Sequence, residues 1–151
     1  MLRRYRFWLW AAVVFLFLTA IFHSLSFVVT PDLNNETERQ IHELITTYRA
    51  DMGAGFHRSF SDLFVALSSC FTFICLLAGS ITAYLLRKKV SVDILKGITL
   101  ITLIVFGALF AVMCFYTFLP PIICTGLIFV TLAAGYVMLR FETSNLDLPK
   151  T

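Results

Sequence analysis

The chain has 151 residues, of which 59% are hydrophobic and 14% charged, with a formal net charge of +3. A soluble domain of this length is about half apolar and about a quarter charged, so this much apolar surface needs lipid as its solvent. The basic residues sit at the ends of apolar runs, the membrane-topology use of Lys and Arg, which argues against nucleic acid as a partner.

The first apolar run spans Phe7 to Val29 and follows Arg3, Arg4 and Arg6. It is longer than the roughly 7–15 residues of a signal-peptide core. Its exit, Ser24-Leu25-Ser26-Phe27, offers no small-x-small cleavage site. A retained anchor helix is expected. The polar stretch Thr30 to Ser61 comes next. Within it, Asn35-x-x-Glu38 resembles a capping box. Ile41, Leu44, Ile45, Tyr48 and Met52 then follow the spacing of one helical face. The pattern predicts an amphipathic helix over 36–52, ended by Gly53 and Gly55. Such a helix lies on the membrane surface, caps a bundle or docks a partner. Its mixed charge favours the last two.

The second apolar run covers about 63–86 and ends at Arg87-Lys88-Lys89. The third covers about 94–118, with Lys96 one turn inside, able to snorkel back to the interface. Pro120-Pro121 breaks the chain, and the fourth run covers about 122–139. Residues 142–151 are polar, with Pro149 near the end, and read as a flexible tail. The expected fold is an all-α integral membrane domain over 1–151. It is a four-transmembrane-helix up-down bundle with the amphipathic helix in the outer loop between helices 1 and 2. Arg3, Arg4, Arg6, Arg87, Lys88, Lys89, Arg140 and Lys150 all fall on one side, which places both termini in the cytoplasm. Cys70, Cys75, Cys114 and Cys124 lie in apolar runs without a CxxC pair, so they read as small hydrophobes.

Polar groups inside a bilayer are costly and each needs a reason. His23 lies six residues before Val29, roughly 9 Å below the outer edge. It serves a metal, haem, quinone or proton site, or it is hydrogen-bonded to a neighbouring helix. His57, Arg58 and Asp62 lie where the chain re-enters the membrane. Arg58 and Asp62, spaced i, i+4, could pair on one helical face. His57 and Ser61 would share another, with Phe56, Phe60 and Phe64 as a packing stripe. His23, His57 and Asp62 are expected at similar depth, yet no HxxH, HxH or HExxH spacing supports a metal site. Catalytic residues and cofactors are not expected. Gly79-x-x-x-Ala83, Gly107-x-x-x-Ala111 and Thr131-x-x-x-Gly135 are small-xxx-small spacings that let helices approach closely. No acidic residue stands at mid-membrane, which disfavours an ion-coupled carrier.

The order of His23 in the first span, a loop helix, Gly55-Phe56-His57-Arg58-Ser59-Phe60 at the second and two plain spans resembles uncharacterised small four-helix bacterial inner-membrane proteins. That resemblance implies an inner-membrane location and no activity. Vitamin K epoxide reductase-like oxidoreductases need outward-facing reactive cysteine pairs, and claudins and tetraspanins carry outer-loop cysteines; neither pattern is present here.

The leading expectation is a non-catalytic accessory or structural subunit of a membrane complex or homo-oligomer, with lipid and other membrane subunits as partners. One alternative is a membrane enzyme or a metal-, redox- or quinone-binding protein, with a site between the first two spans near the outer face. Another is a small oligomeric transporter or channel, for which Ser69, Thr72 and Thr102 should line one polar face.

Overall fold

The computed structural model describes residues 4–25, 27–29 and 32–146, with side chains to residue 142. Arg3, Ser26, Lys150 and the segment after 146 fall outside the described residues. In chain order the elements are α1 (Arg4–Leu25), α2 (Glu36–Thr47), β1 (Arg49–Asp51), β2 (His57–Ser59), α3 (Phe60–Lys88), α4 (Val92–Tyr116) and α5 (Leu119–Leu146). Four of the helices, α1, α3, α4 and α5, are long and apolar enough to cross a membrane. The chain forms two compact units, one from Met1–Thr19 with Cys75–Thr151, the other from Ala20–Ile74.

The larger unit is helix on helix. Its buried apolar side chains include Leu9, Leu16, Leu86, Phe106, Ile128, Leu132 and Leu139. Glycines mark the close approaches. A Cβ on Gly135 would lie 2.6 Å from Leu9 Cδ2, and one on Gly107 would lie 3.0 Å from the Phe129 ring. Gly79 lies against Leu16 and Phe17, and Gly126 against Phe110. Phe110 and Phe129 stack at 5.8 Å between α4 and α5. The Gly107 spacing is divided: Gly107 meets Phe129, whereas Ala111 is exposed.

Five threonines in this unit turn their hydroxyls back on their own helices. Thr82 donates to the Ala78 carbonyl, Thr99 to Leu95, Thr102 to Ile98, Thr125 to Pro121 and Thr131 to Leu127, all at 2.7–2.8 Å. A threonine can thus lie in an apolar environment with its donor satisfied locally.

The helix ends in this unit explain three departures from the expected boundaries. Pro120 and Pro121 lie in the first turn of α5 rather than before it. Proline is tolerated there because the first-turn N–H groups have no intrahelical acceptor. The α4–α5 break is therefore only Thr117 and Phe118. The helix α3 closes with Lys89 at φ +52° and the Val90 N–H bonding the Leu85 carbonyl at 3.5 Å. That is a Schellman-type end with lysine where glycine is usual. At the same end the Arg6 guanidinium donates to the Leu86 carbonyl at 2.7 Å, placing a cation on the negative end of the α3 dipole. At the other margin, α5 stays helical to Leu146, five residues into the stretch read as a tail.

The smaller unit holds the end of α1, α2, the hairpin and the first half of α3. The helix α1 stops at Leu25, four residues early, and a turn follows in which Phe27 N–H bonds the Ser24 carbonyl. The helix α2 begins at its expected cap, with Asn35 Oδ1 accepting the Glu38 N–H at 2.8 Å. The Glu38 carboxylate reaches the Asn34 N–H at 2.7 Å, one residue beyond the usual capping-box partner.

The expected helix to Met52 is corrected: α2 ends at Thr47 with Tyr48 extended, and 49–59 forms an antiparallel hairpin. Its register pairs Arg49 with Ser59, Ala50 with Arg58 and Asp51 with His57. The physical reason lies in the tip. Gly53, Ala54 and Gly55 all have positive φ, at 84°, 52° and 81°, which reverses the chain rather than merely ending a helix. Asp51 Oδ1 accepts the Gly53 N–H at 2.8 Å, and the Met52 N–H bonds the Phe56 carbonyl at 2.9 Å. The paired backbone then holds Tyr48 and Met52 outside any helical face.

Candidate functional site

The hairpin runs into α3 with no linker: β2 ends at Ser59 and α3 starts at Phe60. Ser59 is the N-cap. Its hydroxyl accepts the Asp62 N–H at 3.1 Å, and the Asp62 carboxylate accepts the Ser59 N–H at 3.0 Å. This reciprocal box satisfies two backbone donors at the helix start and puts a negative charge on the positive end of its dipole. Asp62 also lies in the field of Arg49 first and Arg58 second.

That arrangement corrects the helical i, i+4 pairing expected of Arg58 and Asp62. Arg58 is in a strand, so the two residues share no helical face. The Asp62 carboxylate is held by Ser59, the residue that closes the strand. His57 and Ser61 are separated in the same way. The signal was present in the sequence, because Ser59-x-x-Asp62 has capping-box spacing.

Arg58 instead lies over the Phe56 ring at 5.8 Å, and its Nη1 makes a long 3.4 Å bond to the His57 carbonyl. Its strand neighbours define two hairpin faces, because side chains alternate along a strand. Ala50, Met52, Phe56 and Arg58 fall on one face. Arg49, Asp51, His57 and Ser59 fall on the other. His57 is solvent-exposed and Ser59 is buried.

His23 lies in the last turn of α1, two residues from its end rather than six. Its half-buried ring meets Phe71 edge-on at 4.9 Å and Phe27 at 5.8 Å, and the Ser68 backbone approaches it from α3. Among the described residues, no group of three or more His, Cys, Asp or Glu is placed to hold a metal ion.

The three hydroxyls considered for a pore differ. Ser69 bonds the Val65 carbonyl and Thr102 the Ile98 carbonyl, both within their own helices. Thr72 Oγ1 is buried and makes no hydrogen bond among the described residues. Cys75 is buried, Cys124 half-buried, and Cys70 and Cys114 exposed on the apolar helices. The cysteines thus divide between core and surface.

The roles of Arg6, Arg49, Phe71 and Gly126 were not legible. Each depends on a neighbour far away in sequence. No protein-family model matches the chain, and neither a curated protein nor a solved structure shows significant similarity to it.

Proposed function

We propose that this chain is a four-span membrane protein of the bacterial inner membrane type, acting as a non-catalytic accessory or structural subunit. The observation that carries the reading is how little of each long helix the chain itself covers. Only 11% of the most apolar window of α4 and 17% of that of α3 are buried, against 33% for α1 and α5. Phe73, Leu77, Ile101, Ile104 and Val130 are exposed along these helices. Side chains of this kind are stable in hydrocarbon, at about 25 cal/mol per Å² of apolar surface removed from water. In lipid there is no such gain between helices, so association rests on close packing and interhelical polar contacts.

The hydroxyls bonded within their own helices support a packing role. A catalytic or conducting site would present such groups to a shared space. The basic residues support an up-down arrangement with Arg4, Arg6, Arg87, Lys88, Lys89 and Arg140 on the cytoplasmic side. In mild detergent the protein should run as an oligomer or bring a membrane-protein partner with it. A lone monomer that captures nothing would remove the subunit reading.

A further inference from the structure

The hairpin places an aromatic side chain and an arginine on the same face, immediately before a helix of spanning length. Met52, Phe56 and Phe60 are exposed at 44%, 58% and 44%. Arg58 leans over Phe56. The guanidinium of Arg58 makes a long 3.4 Å bond to the His57 carbonyl, and the nearby carboxylate of Asp62 is held by Ser59 and feels Arg49 before Arg58. The opposite hairpin face carries Arg49, Asp51 and His57. There the carboxylate of Asp51 is held by the Gly53 N–H.

Height follows from connectivity. The apolar run of α3 starts at Leu63, and Phe60 lies three residues before it, about 5 Å along the axis. The polar layer on each side of the hydrocarbon core is roughly 5–8 Å thick. With no linker between β2 and α3, the base of the hairpin lies in that layer whenever α3 spans. A guanidinium offers five donors in a planar fork that matches a phosphodiester, and an aromatic ring suits the same depth.

We infer that the Met52–Phe56–Arg58 face of the hairpin lies on the outer surface of the bilayer, with Arg58 donating to lipid phosphate and Phe56 seated at the headgroup boundary. The inference rests on the membrane reading above. The hairpin thereby fixes the depth at which α3 enters, with the Ser59–Asp62 cap as the rigid joint between them. The phosphate belongs to the bilayer lipids, zwitterionic or anionic, because the acidic residues of α2 oppose any general attraction of anions to this loop.

The test uses the full-length chain with its four cysteines replaced by alanine and single spin labels introduced at Phe56, His57 and Ile104. It is reconstituted in phosphatidylcholine vesicles containing a minority of phosphatidylglycerol. Accessibility is read with oxygen, which partitions into lipid, and with a water-soluble nickel chelate. The Phe56 label should favour oxygen several-fold over the His57 label, and Arg58→Gln should shift it toward nickel. Equal nickel access at Phe56 and His57, or a Phe56 label shielded from both reagents by protein, would overturn the inference. The Ile104 label separates the two failures. If it is oxygen-accessible while Phe56 is aqueous, only the hairpin inference falls. If it too is reached by nickel, the membrane reading falls with it.

Discussion

The two compact units order their chains in different ways. In the larger unit, glycines bring backbones to within side-chain contact, and threonines close on their own carbonyls. Leu9, Leu16, Leu86 and Ile128 are fully buried. In the smaller unit, α2 buries no residue at all, and Ile41, Leu44, Tyr48 and Phe56 remain exposed. Order there comes from backbone and capping hydrogen bonds: Asn35 at α2, the three-pair hairpin, and the Ser59–Asp62 box. One unit is organised by packing and the other by local hydrogen bonding. Mutations should therefore act on them through different physics.

The largest effect is expected at Gly135. Leu9 is fully buried, and a new Cβ would lie 2.6 Å from its Cδ2 and 3.0 Å from its Cγ, so Gly135→Ala should destabilise by about 1–3 kcal/mol. At Gly97 an added methyl would meet nothing within 4 Å, so Gly97→Ala should raise stability by up to about 1 kcal/mol through helix propensity. Thermal unfolding in detergent would read both. Equal effects of one sign would erase the packing side of the comparison.

Next is Arg6→Gln, which weakens a charge-assisted bond to the Leu86 carbonyl. A loss of about 1–2 kcal/mol is expected, seen as lower thermal stability and faster amide exchange at the C-terminal turn of α3. Unchanged exchange there would mean that Arg6 is only a topology charge.

In the smaller unit, Ser59→Ala removes the cap and should cost about 1 kcal/mol. The loss should show in hairpin and first-turn amides of α3 and leave the amides around Gly135 unchanged. A loss spread over both units would show that they are not separately organised. The smallest effect is expected at Lys89→Gly, which relieves a left-handed lysine and should stabilise by about 0.5–1 kcal/mol. If stability falls instead, the Lys89 side chain contributes more than its backbone costs.

The four long helices were legible because each is a run of about 20 apolar residues, a pattern independent of tertiary context. The start of α2 was legible because Asn35 and Glu38 are a local signal. The hairpin was hidden because Tyr48 and Met52 continue a helical spacing by coincidence. The deciding information is the run of positive φ at Gly53, Ala54 and Gly55. The α5 start was misplaced because the two prolines read as a break, although the first turn of a helix accepts them. Of the polar group His23, His57, Arg58 and Asp62, the sequence marked the residues but not their company. Phe71 and Ser68 approach His23, and Arg49 approaches Asp62, only through folding.

The account depends on α3 carrying the chain from one side of a bilayer to the other. The direct measurement is impermeant-maleimide labelling of Glu43→Cys and Lys88→Cys in sealed, uniformly oriented vesicles, on the chain lacking its native cysteines. Opposite sidedness, with Lys88 on the cytoplasmic face and Glu43 on the outer one, is the predicted result. Labelling of both positions from the same side would contradict it.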